Sequence, residues 1–134
     1  GSPDFGCNVE GIFSQYLFAV PAVKAVGFGL GEGFAALRGS QANDPFYLDS
    51  GTVRTRTNHS GGINGGITNG MPVEFEVTLR PTPSIARRQQ TVDLSAGREA
   101  ELEITGRHDP CIVPRALPVI EAAAALAACE LLGM

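Results

Sequence analysis

Glycine is concentrated in one short stretch of this 134-residue chain. Five of the ten residues from 61 to 70 are glycine, within the segment NHSGGINGGITNG at residues 58–70. Such a backbone adopts conformations that a Cβ atom would forbid, and its N–H groups can approach a flat or anionic ligand closely. The alternative is a mobile glycine-rich turn ahead of a strand. The segment is not a Walker phosphate-binding loop, because no GK[ST] sequence follows it.

The composition fits one domain, or part of a larger one, and excludes some classes of protein. Apolar residues make up 43% and charged residues 18%, which allows a packed core. No run of 18 apolar residues occurs, so a membrane-spanning helix is excluded, and a net charge of −4 does not favour nucleic acid as a partner. Cys7, Cys111 and Cys129 lack metal-ligand spacing, which predicts no metal site and fits a reducing cytoplasm. We interpret residues 1–5 as a tag or linker and residues 6–134 as the folded part.

Hydrophobic periodicity predicts an α+β chain with antiparallel strands. Apolar residues at helical spacing indicate a helix over residues 12–20, which Pro21 should end. An alanine-rich helix is expected over residues 115–132, with Pro118 in its first turn and Gly133 near its C-cap. Strands are predicted at residues 23–28, 52–57, 72–80, 90–94 and 98–105. Both helices are more apolar than one small sheet requires, so we expect a further partner, either another chain or another part of the same protein.

One group of polar residues follows the predicted strand 72–80. Arg80, Thr82 and Ser84 alternate with Pro81 and Pro83. The prolines stiffen the loop, so its donors would be oriented in advance for a phosphate. The alternative is an ordinary strand end with a solvated arginine.

A second group precedes the C-terminal helix. Arg107, His108 and Asp109 are consecutive, and Pro114-Arg115 follows. Arg107 can bind a carboxylate or phosphate, and Asp109 can position or accept a proton. The alternative is an Arg–Asp surface pair with an Asx turn.

Together these segments resemble the chorismate synthase family. RHDPCIVPRALPVIEAA at residues 107–123 is similar to the family's C-terminal signature. Further blocks occur in the family's order: PAVKAVGFG (21–29), GSQAND (39–44), TRTNHSGGINGGITNGMP (55–72) and RPTPSI (80–85). The resemblance covers nearly the whole chain from about Asn8. It identifies residues 6–134 as the C-terminal portion of a family domain, an α+β sandwich of sheets and helices that assembles as a homotetramer.

The resemblance also implies an activity. Chorismate synthases convert 5-enolpyruvylshikimate 3-phosphate to chorismate and phosphate by anti-1,4-elimination, in the shikimate pathway of aromatic amino-acid biosynthesis. The reaction has no net redox change but needs reduced FMN, which some relatives obtain with NADPH. By the same resemblance we expect a cytoplasmic enzyme.

Individual roles follow from the resemblance as well. Asp109 is expected near the flavin N5 and Arg107 near flavin and substrate, both in catalytic roles. The residues expected to contact FMN are Pro21, Ala22, Gly65, Arg80, Pro81, Thr82, Pro83, Ser84 and Arg107.

The chain departs from the family pattern at several points. His59 and His108 do not match the family's functional histidines, so we expect a packing or hydrogen-bonding role for each. Pro21 stands where many relatives have Asn. The family pattern also places the end of a strand near Gly11. The matching blocks belong to the family's C-terminal half only, so we expect this polypeptide alone to have little or no activity.

Two alternatives remain open. The first is a catalytically silent folded fragment that self-associates through its apolar helices without binding flavin. The second is a nucleotide-binding module built on GFGLGEG at residues 27–33, which lacks the helix pattern expected after such a motif.

Overall fold

The computed structural model describes residue 2 and residues 4–134, which divide into two compact units. The first unit extends to Arg80 and includes Leu117–Met134, and the second is Pro81–Ala116. The helices are α1 (Val9–Phe18), α2 (Gly39–Ala42), α3 (Val113–Leu131) and a 3-10 helix at Gly31–Ala36. The strands are β1 (Val23–Phe28), β2 (Phe46–Asp49), β3 (Thr52–Thr55), β4 (Ile63–Asn64), β5 (Ile67–Thr68), β6 (Phe75–Leu79), β7 (Arg88–Asp93) and β8 (Arg98–Glu103). Among these residues every strand pairing is antiparallel, so the predicted α+β class is confirmed.

Helix α1 begins at a side-chain cap and ends before a proline. The Asn8 carboxamide oxygen accepts a hydrogen bond from the Gly11 N–H, which satisfies one of the free donors of the first turn. The helix spans Val9–Phe18 rather than the predicted residues 12–20, and it ends ahead of Pro21 as expected. Gly11 lies inside this helix, so the expectation of a strand ending there is wrong: the Asn8 cap starts a helix instead. The buried face consists of Val9, Ile12, Phe13 and Leu17.

Strands β1 and β6 form the central pairing of the first unit. Val26 lies opposite Val77, and Phe28 lies opposite Phe75. The predicted strand 72–80 is confirmed in its central part, and its alternation is confirmed over the full range. Its half-buried residues are Val73, Phe75, Val77 and Leu79, and its exposed residues are Glu74, Glu76, Thr78 and Arg80.

An aromatic cluster joins α1 to this pair of strands. The rings of Phe13, Phe28 and Phe75 have centroids 5.7 to 6.5 Å apart in edge-on or tilted arrangements. Such pairs add about 0.5–1.5 kcal/mol each beyond their burial. The cluster packs α1 against the last residue of β1, Phe28, and the first residue of β6, Phe75.

Helix α3 contributes small residues to the same core. Ala123 and Ala127 are buried, whereas Leu117, Val119 and Leu126 remain about half exposed. The helix starts at Val113, two residues earlier than expected. The prediction that Pro118 occupies its first turn is therefore wrong, because Pro114 takes that place, and Pro118 lies inside the helix.

The Tyr16 hydroxyl ties α1 to α3. It donates a hydrogen bond of 2.6 Å to the Glu130 carboxylate. This hydrogen bond, followed by desolvation and the negative charge of Glu130, raises the pKa of Tyr16. The bond joins residues 114 positions apart in the chain.

The second unit contains the predicted hairpin. β7 and β8 pair with Arg88 opposite Glu103 and Asp93 opposite Arg98, so the strands run slightly differently from the predicted 90–94 and 98–105. The Asp93 carboxylate accepts the N–H groups of Ser95 and Ala96 at 2.9 and 3.0 Å and thereby shapes the turn.

The arrangement around β1 argues against the nucleotide-binding alternative. β1 pairs antiparallel with β6 and leads into the 3-10 helix Gly31–Ala36. A dinucleotide-binding unit requires a parallel strand followed directly by an α-helix.

Across the residues that the structure describes, no helix combines the length and apolar character needed to cross a bilayer.

Candidate functional site

A cavity of about 460 Å³ in the second unit brings together residues from both predicted polar segments. It lies where the proline-flanked loop meets the stretch that leads into α3. Its lining residues are Thr82, Ser84, Arg107, His108, Asp109, Ile112 and Arg115. The two segments are separated by more than 20 positions in the sequence, and the fold brings them together at one cavity.

The proline-flanked loop supplies an unsatisfied donor to this cavity. The Thr82 hydroxyl oxygen is buried and has no hydrogen-bond partner among the described residues. Leaving such a group unpaired costs about 1–3 kcal/mol. Pro81 and Pro83 restrict the backbone on both sides, and Ser84 lines the same cavity. The loop is therefore suited to an acceptor-rich ligand such as a phosphate.

The charged residues of the cavity form a different ion pair from the one that the sequence suggested as an alternative. Asp109 pairs with Arg115, with Oδ2 and Nη1 3.1 Å apart. Arg107 forms no ion pair within residues 2 and 4–134, and its exposed guanidinium lines the cavity. The predicted Arg–Asp pair thus exists with another arginine, which leaves Arg107 available for an anion.

The sequence placed Arg115 just after the second polar group but gave it no role in the site. A signal was present, since an arginine in the first turn of a helix opposes the helix dipole and is seldom there for helix stability. That signal could mark Arg115 but could not name Asp109 as its partner.

His108 lies beside the same residues. Its Nε2 atom is buried without a hydrogen-bond partner in the described part of the chain. The residue also lines an adjoining cavity of about 450 Å³ with Pro81, Gly106 and Pro110. Within the described residues, His, Cys, Asp and Glu form no cluster of three suited to a metal ion.

The remaining predicted flavin contacts lie in the first unit, and the fold joins two of them. The pairing of Val23 with Leu79 brings Arg80 to Ala22, and the Arg80 N–H donates to the Ala22 carbonyl at 2.7 Å. Ala22 has a φ of +74°, a conformation that costs a residue with a Cβ atom about 1–2 kcal/mol. Strain of this kind is concentrated at functional sites. Pro21 directly precedes this strained residue.

Gly65 lies elsewhere in the first unit. It forms the tight turn between β4 and β5 with Gly66, and its carbonyl accepts the Ser2 N–H at 2.9 Å. The cavity beside it is also lined by Asp4 and Glu10, two carboxylates that do not favour a phosphate. The structure describes no contact of Gly65 with the other predicted flavin residues, and its flavin role stays a prediction.

The start of the glycine-rich segment is held by Asp44, which the site prediction did not include. Its carboxylate accepts the Thr57 hydroxyl at 2.6 Å and the N–H groups of His59 and Ser60 at 2.7 and 2.9 Å. Only 3% of the Asp44 side chain is exposed. Burial alone would raise the pKa of this carboxyl, but the hydrogen bonds from Thr57, Ser60 and His59 outweigh it and lower the pKa to about 2.

Two glycines allow the backbones around His59 to meet. A Cβ atom at Gly29 would overlap the His59 carbonyl oxygen, and one at Gly61 would overlap the Gly29 amide nitrogen. The Leu30 N–H donates to the His59 carbonyl at 2.8 Å. The close backbone approach seen here is to the chain itself, and the predicted approach of this segment to a ligand stays a prediction.

A family model described as chorismate synthase matches residues 1–132. This chain belongs to the chorismate synthase family. It is 55% identical over 115 residues to the chorismate synthase of Thermococcus gammatolerans, which covers 86% of this chain and 32% of the relative. It is 52% identical over 122 residues to the chorismate synthase of Dehalococcoides mccartyi (strain BAV1), covering 91% and 33%.

A solved structure titled "Crystal Structure of Chorismate Synthase" has the same fold over this length. It superposes with a TM-score of 0.71 at 29% identity and covers 95% of this chain and 31% of that one. The chain thus spans about a third of the length of the chorismate synthases it matches. The family predicted from the sequence blocks is confirmed.

Proposed function

We propose that the chain is the C-terminal part of a chorismate synthase. The whole enzyme would eliminate phosphate from 5-enolpyruvylshikimate 3-phosphate to give chorismate, as a carbon–oxygen lyase of the shikimate pathway. The observation that carries the proposal is the single cavity in which Thr82 and Ser84 lie with Arg107 and Asp109, in a chain of this family. We further propose a cytoplasmic homotetramer that contains FMN.

The residues of the cavity fit the phosphate of FMN. The Thr82 hydroxyl is buried without a partner, and a phosphate oxygen would satisfy it. Ser84 adds a second hydroxyl, and Arg107 adds a planar cation that matches phosphate geometry. Reduced FMN, when bound, would supply the electron-rich ring that the elimination needs, and some relatives reduce it with NADPH.

The chain's own residues would bind the ligands and handle a proton. Thr82 and Ser84 donate to a phosphate, and Arg107 neutralises its charge or that of a substrate carboxylate. Asp109 lines the same cavity, so its carboxylate is placed to exchange a proton with a ligand bound there. Arg80 and Ala22, which the family resemblance also assigns to FMN, are joined to each other by the backbone hydrogen bond in the first unit.

A third of the enzyme's length supplies only part of a site. Catalysis needs acid, base and anion-binding groups in one geometry, and a displacement of about 1 Å can cost about a hundredfold in rate. We therefore expect the 134-residue chain alone to be inactive.

Flavin titration tests the proposal on the chain itself. Oxidised and reduced FMN are titrated into the chain with and without 5-enolpyruvylshikimate 3-phosphate. In a second experiment, chorismate formation is assayed in a full-length chorismate synthase that carries this sequence. Saturable FMN binding by the chain and turnover by the full-length protein support the proposal. Absence of binding up to millimolar FMN, with self-association in ultracentrifugation, would favour the silent fragment instead. The half-exposed Leu117, Val119 and Leu126 are the residues that would drive such association.

A further inference from the structure

Arg115 occupies a position that helix chemistry does not favour. It lies in the first turn of α3, directly after Pro114, where a positive charge opposes the partial positive charge of the helix terminus. Its N–H donates to the Ile112 carbonyl at 3.0 Å, so the backbone at this point is fixed. A residue that breaks a local rule without local compensation is a candidate for a role in the site.

The side chain of Arg115 makes one described polar contact, and that contact is Asp109. The Nη1 and Oδ2 atoms are 3.1 Å apart, and both residues line the cavity with Arg107 and Thr82. No hydrogen bond to the Asp109 carboxylate is found from any other described residue. The ion pair is therefore the contact that fixes the direction of this carboxylate.

The geometry also distinguishes the two oxygens of Asp109. The contact joins Arg115 Nη1 to Asp109 Oδ2, and no hydrogen bond from a described residue reaches Oδ1. A guanidinium is planar and keeps its charge, so it restrains a carboxylate more strictly than an ammonium group does. The Arg115 side chain is 79% exposed and is held by this pairing rather than by burial.

We propose that Arg115 is a positioning residue for Asp109 in the elimination reaction. The inference rests on the proposed function, because it assigns Asp109 a task at the reacting atoms. Arg115 acts on the reaction only through Asp109: it holds Oδ2 and leaves Oδ1 for the reacting atoms.

The test uses a full-length chorismate synthase that carries this sequence, with the variants R115Q and R115K. R88Q is the matched control, since Arg88 has a similar exposure of 77% and also pairs with a carboxylate, that of Glu101 at 3.6 Å. We expect R115Q to lower kcat about ten- to a hundredfold, while KM and the Kd of FMN stay within about twofold. R115K should recover part of kcat, and R88Q should match the wild type.

A double-variant cycle separates positioning from a general structural effect. If Arg115 acts through Asp109, R115Q should reduce kcat little further in a D109N background. Additive losses would overturn the inference, as would unchanged kcat in R115Q or a raised KM with unchanged kcat. If R115Q does not fold, R115K decides, because wild-type kcat in that variant contradicts a role for the guanidinium plane.

The proposed function and the role of Arg115 can fail separately. A folded wild-type protein without turnover overturns the proposed function and the inference with it. A wild type that forms chorismate, with R115 variants that match it, overturns the inference alone.

Discussion

The Asp44 carboxylate accepts a hydrogen bond from the Thr57 hydroxyl at 2.6 Å, although the two residues are 13 positions apart. The same carboxylate also accepts two backbone N–H groups, those of His59 and Ser60. One buried charge therefore joins the turn before β2 to the entrance of the glycine-rich segment. Replacing Asp44 should therefore disturb Thr57, His59 and Ser60 together.

Asp44→Asn should destabilise the chain by about 2 kcal/mol at pH 7, because the amide loses the charge and presents N–H groups to other donors. The pKa of Asp44 falls from 3.8 to about 2 on folding. The contribution of Asp44 to the stability of the fold is thus present above about pH 4 and is lost as the pH falls towards 2. Urea unfolding across this pH range measures the difference in the free energy of unfolding between variant and wild type. This difference should disappear in acid. Asp49→Asn, at an exposed ion pair with Arg54, is the control, and a difference independent of pH would contradict the assignment.

Thr82→Val should weaken FMN binding without weakening the fold. The Thr82 hydroxyl has no partner among the described residues, so its loss removes no intramolecular bond. A hydrogen bond to a charged phosphate contributes about 1.5–3 kcal/mol, which corresponds to roughly ten- to a hundredfold in Kd. Riboflavin, which lacks the phosphate, should bind both forms equally. Thr91→Val on β7 is the control, and equal FMN affinity in T82V and wild type would argue against a phosphate at this loop.

Asp109→Ala in a full-length chorismate synthase should reduce kcat far more than it weakens FMN binding. A carboxylate that handles a proton acts mainly in the transition state, so about a hundredfold or more should be lost from kcat. Steady-state kinetics and a flavin titration give the two numbers. Glu103→Gln, in an exposed pair with Arg88, provides the comparison. Parallel losses of kcat and flavin affinity would recast Asp109 as a structural residue of the segment before α3.

Tyr16 should ionise above its ordinary range. The hydrogen bond to Glu130 and the nearby negative charge raise the pKa of Tyr16. Its contribution to stability is therefore complete below pH 10 and is lost as the pH rises through the higher value of the folded state. The absorbance titration of wild type minus that of Tyr16→Phe isolates this group. Glu130→Gln should return its pKa towards the ordinary value, and an unchanged titration in that variant would refute the coupling.

Gly29→Ala should cost about 3 kcal/mol or more, because a Cβ atom there would overlap the His59 carbonyl oxygen. Thermal unfolding of the variant measures the loss. Gly39→Ala is the matched control: its Cβ atom would meet no atom within 4 Å at the start of α2, so stability should hold or rise. Similar stability for the two alanine variants would contradict the close approach of the backbones.

The sequence predicted those features that depend on local pattern. The alternation over residues 72–80 located β6 because one strand face packs and the other is solvated. The proline-flanked loop and Asp109 could be proposed from the sequence because few side chains supply such chemistry, and the structure brings both to one cavity. The partners of Asp44 and of Asp109 were not predicted, since they depend on which loops the fold brings together. The start of α3 was missed by two residues, because Pro114 and Pro118 both suit a first turn.

The approach of Gly29 to Gly61 has a genetic consequence. The atoms that an added methyl group would strike are carbonyl and amide groups of the main chain, so trimming a neighbouring side chain cannot make room for it. A selection for second-site revertants of a Gly29 or Gly61 variant should return true reversions and few suppressors. The two positions would therefore pass unchanged through lineages in which the surrounding side chains drift freely.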